Sequence, residues 1–221
     1  MNRITLLLFA LLLACGSVAA APIQIVPDND VDVAAGWNAY LANDLARALT
    51  HYRRGADRNN RVAQFNLAMM LLAGEGTPAD PVAAINWLRK SAERGFSRAQ
   101  YALALLYEKG EHVARSQVDA TAWFRRAAEQ NHVEAQVGLA TQYFLGRGAP
   151  RDYTQAAQWY ERAAEQGDEA SAYIVASMYE KGDGVTQDLN RAWHWYRQAA
   201  NSGDPAAVIK AREMREKLGR P

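Results

Sequence analysis

A period of 36 residues constrains this chain more than any other feature of its sequence. The tryptophans at this spacing are Trp87, Trp123, Trp159 and Trp195. Two small-residue columns keep the same register, namely Ala84, Ala120, Ala156 and Ala192, and Gly74, Gly110, Gly146 and Gly182. Self-similarity at a fixed period of this size is the signature of repeat architectures. The sequence therefore predicts stacked copies of one small structural unit.

Each unit is predicted to hold two helices joined by a glycine-containing turn. In the first unit, Ala63, Leu67 and Met70 recur at the spacing of one helix face. Gly74 follows where the left-handed end of a helix favours glycine. Asp80 then precedes Pro81, which is the order of an N-cap and a first helical residue. The tryptophan column and the aromatic residue beside it are predicted to form the core between neighbouring units.

The second unit departs from the pattern at three turn positions. His112 replaces a glycine, Ser116 replaces the capping aspartate, and Asn131 replaces the glycine that ends the second helix. Serine also caps helices, and asparagine tolerates the left-handed conformation. We expect the same turns at a somewhat higher conformational cost.

The N-terminal residues have the composition of a secretory signal peptide. Arg3 is followed by the apolar run 4–14 and by small residues that allow cleavage before Ala21. The whole chain is predicted to comprise a signal peptide (1–20), a flexible arm (21–35), an N-terminal helical cap or partial repeat (36–61), four repeats (62–97, 98–133, 134–169 and 170–205) and a C-terminal capping helix (206–221).

The compartment and the charge limit the partners. Export to the periplasm is the prediction, with a lipoprotein anchored through Cys15 as the alternative, and membrane attachment follows only if Cys15 is lipidated. Lys plus Arg is 25 and Asp plus Glu is 24, so nothing in the charge favours nucleic acid. We expect a protein or peptide partner in the cell envelope, with polysaccharide as a further candidate.

The repeat unit resembles the Sel-one-like repeat (SLR) family of the tetratricopeptide superfamily. The resemblance rests on the run from Ala135 to the Gly146-Arg147-Gly148 turn, and on the run from Asp152 through Trp159-Tyr160-Glu161-Arg162 to Gly167. It extends over about residues 44–217. It implies an all-α fold, a right-handed α-solenoid of stacked helix-turn-helix repeats. It also implies a scaffold or adaptor that binds partners.

No pattern for catalysis or cofactor binding emerges from the remaining residues. The four histidines occupy different points of the unit, and neither a zinc-ligand spacing nor a nucleophile elbow is present. The paired glycines lie between two helices rather than after a strand, so they do not indicate a phosphate loop. We expect no enzyme activity, no cofactor and no metal.

Partner binding is predicted on the first helix of each unit, where three columns lie at i, i+4 and i+7 on one side. These columns hold Phe65, Met69 and Leu72; Tyr101, Leu105 and Glu108; Val137, Thr141 and Phe144; and Tyr173, Ser177 and Glu180. Aromatic and methionine anchors suit a helix or an extended peptide. If the Phe65 column belongs to the core, the surface shrinks to columns 64, 69 and 72, of which the first begins with Gln64, Gln100 and Gln136.

Three functions compete at this stage. The first is an exported scaffold that binds a protein or peptide. The second is a binder of envelope polysaccharide or peptidoglycan through its aromatic side chains, and the third, remote, is a hydrolase.

Overall fold

A computed structural model describes residues 26–220, except the side chain of Ser202. In chain order its α-helices are α1 Val31–Leu41, α2 Leu45–Asp57, α3 Arg61–Ala73, α4 Pro81–Glu93, α5 Ser97–Lys109, α6 Gln117–Ala128, α7 Val133–Leu145, α8 Tyr153–Glu165, α9 Glu169–Lys181, α10 Leu189–Ala199 and α11 Pro205–Lys217. A 3-10 turn, Ala200–Ser202, follows α10. Among these helices, none combines the length and the apolar composition that crossing a membrane requires.

The predicted caps and turns set the boundaries of these helices. The Asp152 carboxylate accepts a hydrogen bond from the Gln155 amide at 2.9 Å, and Ser116 Oγ accepts one from the Asp119 amide at 3.2 Å. Gly74, Gly110, Gly146 and Gly182 all end first helices in the left-handed conformation, with φ of 72°, 77°, 69° and 79°. His112 and Asn131 adopt the same region, at φ of 59° and 63°. The second repeat therefore makes the expected turns with non-glycine residues.

The column beside the tryptophans, which is aromatic except at Leu88, is more completely buried than the tryptophans are. Tyr52, Leu88, Phe124, Tyr160 and Tyr196 are all buried. The tryptophan column is mixed: Trp159 and Trp195 are buried, whereas Trp87 and Trp123 are half-buried. The prediction that this whole column is core is therefore wrong for Trp87 and Trp123. The guanidinium of Arg126 stacks over the exposed side of the Trp123 ring, 4.5 Å from its centre.

The chain forms two compact units, the first ending at Trp87 and the second beginning at Leu88. In the first unit, α1 packs against α2 and also contacts α3. Asp32 on α1 is buried and lies 3.0 Å from His51 Nδ1 and 3.2 Å from Arg54 Nη2, with Arg58 as a third partner. These contacts join α1 to α2.

The flexible arm predicted over residues 21–35 is wrong from Val26 onward. The Asp30 carboxylate caps α1 by accepting from the amides of Asp32 and Val33, so the helix begins at Val31. Asp30 is thus a helix cap, and Asp32 is a buried ion-pair partner. Residues 1–25, with the predicted signal peptide and Cys15, lie outside the described residues.

In the second unit, helices α5 to α11 pack in sequence around a core rich in alanine. Ala104, Ala140 and Ala176 are fully buried and let the helices approach closely. The last helix, α11, buries Ala207 and Met214 and packs against α10. Its opposite side is exposed, as expected of a cap at the end of a repeat array.

Close backbone approach explains the second glycine of the turns. A Cβ atom added to Gly148 would lie 2.0 Å from the carbonyl oxygen of Gln117, at the start of α6. A Cβ added to Gly184 would lie 2.3 Å from the carbonyl carbon of Tyr153, at the start of α8. Each of these turns therefore lies directly on the second helix of the preceding repeat.

Candidate functional site

In the second compact unit, Leu88 to the C-terminus, the predicted binding residues lie on α5, α7 and α9, and we call them the open stripe. It consists of Tyr101, Leu105, Glu108, Val137, Thr141, Phe144, Tyr173, Ser177 and Glu180. All nine are half-buried. Residues on the other side of the same helices, such as Leu103 and Leu139, are fully buried. The stripe is therefore the boundary between core and surface, where a side chain is held in place and still reaches solvent.

Tyr101 begins the stripe with a flat aromatic surface. Its ring stacks on the His132 ring with centres 4.8 Å apart and planes at 26°, and it lies 6.0 Å from the Phe124 ring. Burial raises the pKa of Tyr101 to about 12, and the charges of Glu134 and Glu108 add to this shift. The phenol is therefore neutral at physiological pH and available as a hydrogen-bond donor.

His132 also belongs to this site, although no local sequence pattern marks it. Burial lowers its pKa below the ordinary value, the charge of Glu134 opposes that shift, and the charge of Arg98 adds to it. Its Nδ1 lies 3.1 Å from a Glu134 carboxylate oxygen. The imidazole is therefore neutral at neutral pH and acts as the planar support of Tyr101.

The middle of the stripe is fixed by a hydroxyl bridge. Thr141 Oγ1 donates to the Val137 carbonyl at 2.8 Å and lies 2.9 Å from the hydroxyl oxygen of the buried Tyr160. Leu105 on the neighbouring helix contributes an apolar, half-buried side chain. This bridge connects the open stripe to the buried Tyr160 of the core.

Glu108 supplies a carboxylate that is held by a neutral donor. Its Oε1 accepts a hydrogen bond from Gln142 Nε2 on α7 at 2.6 Å. Its main-chain carbonyl accepts from Arg115 Nε and Gln117 Nε2, both at 3.1 Å. The Phe144 ring, in the same column, meets the Tyr153 ring edge-on at 5.1 Å.

Glu180 is held differently, because lysines of the capping helix reach it. Tyr196 donates to Glu180 Oε2 at 2.9 Å, Lys217 Nζ lies 3.2 Å from Oε1, and Lys210 Nζ lies 3.6 Å from Oε2. Burial raises the pKa of Glu180, but these hydrogen bonds and lysine charges outweigh burial and lower it overall. Tyr173 packs edge-on against Tyr196, with ring centres 5.2 Å apart.

On α3, two of the three residues of the predicted surface are not open. Phe65 and Met69 are buried and Leu72 is half-buried. The expectation that Phe65 and Met69 face a partner is therefore wrong for this structure. Both side chains belong to the core of the first unit, where α1 also contacts α3.

In the alternative surface, the prediction that the glutamine column is exposed is also wrong. Gln64, Gln100 and Gln136 are buried, and each side-chain amide donates to a carbonyl at the end of the preceding helix. The acceptors are Ala56, Ala92 and Ala128, at 3.3, 3.0 and 3.3 Å. Helix ends leave such carbonyls without an intrahelical partner. These glutamines are therefore structural caps.

Three of the histidines make separate contacts, each with a different partner. Within residues 26–220, no three His, Cys, Asp or Glu side chains come together in a way that would hold a metal ion. Of the histidines, His51 pairs with Asp32, His132 stacks on Tyr101, and His194 meets the Trp195 ring edge-on at 4.9 Å. The open stripe offers aromatic faces, short apolar side chains and one carboxylate held by a neutral amide.

Comparison with known proteins supports the predicted resemblance. The Sel1 repeat model matches residues 38–60, 61–96, 97–132, 133–168 and 170–204. No match was found among curated proteins.

Two solved structures are similar along most of the chain. A Sel1 repeat protein from Oxalobacter formigenes is 35% identical with a TM-score of 0.77, over 84% of this chain and 77% of that one. A protective antigen of uropathogenic Escherichia coli strains, displaying an SLR fold, is 34% identical with a TM-score of 0.74, over 81% of this chain and 39% of that one. The all-α solenoid fold class is thereby confirmed. The chain belongs to the Sel1 repeat family, whose helical repeats usually mediate protein–protein interactions.

Proposed function

We propose that this chain is an exported scaffold that binds a protein or peptide partner through the open stripe. The observation that carries the proposal is the half-buried state of all nine stripe residues. Side chains in this state are held in position by their neighbours, so little entropy is lost when a partner covers them. Aromatic side chains in such positions are common binding hot spots.

The two carboxylates of the stripe suggest which charges the partner carries. Lys210 and Lys217 already face Glu180, whereas Glu108 is held by the neutral amide of Gln142. A Lys or Arg side chain of the partner would gain more from Glu108 than from Glu180. We therefore expect a peptide with apolar anchors for Tyr101 and Leu105 and a basic residue near Glu108.

Export to the periplasm is part of the proposal and rests on residues 1–20. A basic start, a short apolar run and small residues before Ala21 are typical of a cleaved signal peptide. A lipid anchor on Cys15 is the alternative form of the same proposal. The two forms differ in the mass of the mature N-terminus, which mass spectrometry of the purified protein would measure.

Binding of envelope polysaccharide or peptidoglycan is the second candidate. The Tyr101–His132 stack favours it, because a flat aromatic surface at the edge of a groove also suits the apolar face of a sugar ring. The Sel1 repeat family is generally non-enzymatic. We propose no catalytic role for this chain.

The test immobilises residues 21–221 and captures proteins from an envelope extract of the source organism after mild crosslinking. The double variant Tyr101→Ala, Tyr173→Ala should lose the captured protein. The matched control is Val82→Ala, Val118→Ala, which truncates two strongly exposed apolar side chains on second helices. Loss in the stripe variant alone supports the proposal. Equal capture by both variants contradicts it, and retention on purified peptidoglycan with Tyr101-dependent loss would favour the second candidate.

A further inference from the structure

The side chain of Asn66 on α3 holds the main chain of Val26 by both of its polar groups. The Val26 amide donates to Asn66 Oδ1 at 2.9 Å, and Asn66 Nδ2 donates to the Val26 carbonyl at 2.7 Å. Asn66 is fully buried and Val26 is nearly so. One side-chain amide therefore pairs with one residue of passing chain, as a neighbouring strand residue would in a sheet.

Asn66 stands out from its repeat column. The other three repeats have Ala102, Gly138 and Ile174 at this position. Asparagine is a poor residue for a helix interior, and a buried amide must be fully paired to be tolerated. The repeat architecture does not require an amide here, because three of the four units do without it. The contact with the passing chain, together with the neighbouring buried hydroxyl of Tyr52, accounts for Asn66.

The contact also selects the conformation and side chain of the bound residue. Pro27 follows Val26, and a residue before proline is restricted to extended conformations. Extended backbone presents its amide and carbonyl in one direction, which suits the paired groups of Asn66. The Val26 side chain is 9% exposed, so the site also has room for one β-branched side chain.

We propose that Asn66 is the centre of a second peptide-binding site, which takes an extended segment with a β-branched residue before proline from a protein partner. The chain's own Val26-Pro27 occupies this site until the partner displaces it. The site lies within the first unit and does not depend on the open stripe.

Displacement is feasible because Val26 is held more weakly than the helix that follows it. Two hydrogen bonds and one small side chain hold Val26, whereas α1 is held through Asp30 and Asp32 to Arg58 and through Asp32 to His51. Release of Val26 therefore leaves α1 in place. The tether from Val26 to Asp30 is short, so the chain's own segment competes at a local concentration on the order of millimolar.

The test measures binding of a fluorescent peptide with the sequence of residues 21–30 by fluorescence anisotropy. The protein is residues 21–221 as parent, as Val26→Pro, or as Val26→Thr. Val26→Pro removes the amide that Asn66 accepts from, so the chain's own segment leaves and the site opens. We expect Val26→Pro to bind the peptide at least about tenfold more tightly than the parent. Val26→Thr keeps the amide and the branched shape, and should bind like the parent.

Changes in the peptide test the same contact without altering the protein. A peptide with N-methylvaline at the position of Val26 should lose binding to the Val26→Pro protein, and so should one with lysine there. Asn66→Leu combined with Val26→Pro should also lose binding, with circular dichroism confirming its helical content. Equal binding by parent and Val26→Pro, or binding of the N-methylated peptide, would overturn the proposal.

A last arm separates a partner site from a purely internal clasp. A peptide of unrelated sequence that keeps only the Val-Pro pair should bind the Val26→Pro protein within about tenfold of the native sequence, because the main chain is the recognised element. If only the native sequence binds, the site serves the chain's own segment and the partner proposal fails.

Discussion

Two of the three repeat columns are covered on α3 but open on α5, α7 and α9. Phe65 and Met69 are buried, whereas their counterparts, such as Tyr101 and Thr141, are half-buried. On α3, additional chain packs against the helix: α1 contacts it, and Val26 is hydrogen-bonded to Asn66. The comparison teaches that a column in a repeat is assigned to core or surface by what packs on it. Its position on the helix does not decide this alone.

The largest expected effect tests whether the two regions differ in stability as they do in exposure. Phe65→Ala should lower the free energy of unfolding by about 3 to 5 kcal/mol, because it opens a cavity in the core. Tyr101→Ala, in the same column, should cost about 1 to 2 kcal/mol, because part of its ring already faces water. Urea denaturation of both variants measures the difference, and equal costs would show that the columns do not differ.

The second effect concerns the ion pairs that hold α1. Hydrogen bonds from His51 and Arg58 lower the pKa of Asp32 below its ordinary value of 3.8, against the opposing effect of burial. This stabilisation is present above pH 3.8 and is lost as the pH falls through the lower folded-state pKa. Asp32→Asn should cost about 1 to 2 kcal/mol at neutral pH, a moderate value because Arg54 and Arg58 are half in solvent.

A pH series separates the charge of Asp32 from its shape. Thermal unfolding should show a larger loss of stability below pH 3.8 for the parent than for Asp32→Asn, which keeps only the losses of other carboxylates such as Glu180. Parallel pH profiles for the two proteins would mean that the carboxylate charge contributes nothing to holding α1.

A smaller effect is expected for the corresponding ion pairs of the open stripe. The pKa of Glu180 is lowered from its ordinary value of 4.5, so its contribution is present above pH 4.5 and is lost as the pH falls through the folded-state pKa. Glu180→Gln should cost about 0.5 to 1 kcal/mol at neutral pH, since both lysines are partly exposed. Raising the salt concentration should shrink this difference, and a cost that is independent of salt would contradict the ion-pair explanation.

The smallest effect sets the baseline for the comparison. Val118 is 67% exposed at the start of α6, so Val118→Ala should change the free energy of unfolding by less than about 0.5 kcal/mol. Chemical denaturation beside Phe65→Ala gives the full range between an open and a covered position. A cost near that of Phe65→Ala would show that this face of α6 is covered in solution.

The sequence predicted what the repeat imposes. The paired helices, the left-handed glycines such as Gly146, and the caps at Asp152 and Ser116 are all confirmed, because each depends on residues within a few positions of one another. The binding role of the open stripe stays a prediction. The choice of stripe residues on α5, α7 and α9 agrees with the structure, where all nine are half-buried. It could be made from the sequence because helix geometry decides which residues share a side.

What the sequence did not predict depends on contacts between distant residues. Nothing local distinguishes Gln136, a buried cap for the Ala128 carbonyl, from a glutamine facing a groove. The sequence predicted a flexible arm over residues 21–35, yet Asp32 and Asp30 have their partners, His51 and Arg58, 19 and 28 residues away. One signal was available: Asn66 is the single polar residue in a column of Ala102, Gly138 and Ile174.

The close approach at Gly148 and Gly184 limits how such a gene can change length. Each of these turns rests on the start of a helix 31 residues earlier, with no space even for a methyl group. One codon inserted between the two contact points would displace the turn from that helix, and most interior positions of the array lie between some such pair. Duplication or loss of a complete 36-residue segment preserves all of these contacts. Evolution of this chain should therefore proceed through whole repeats, with small insertions confined to its ends.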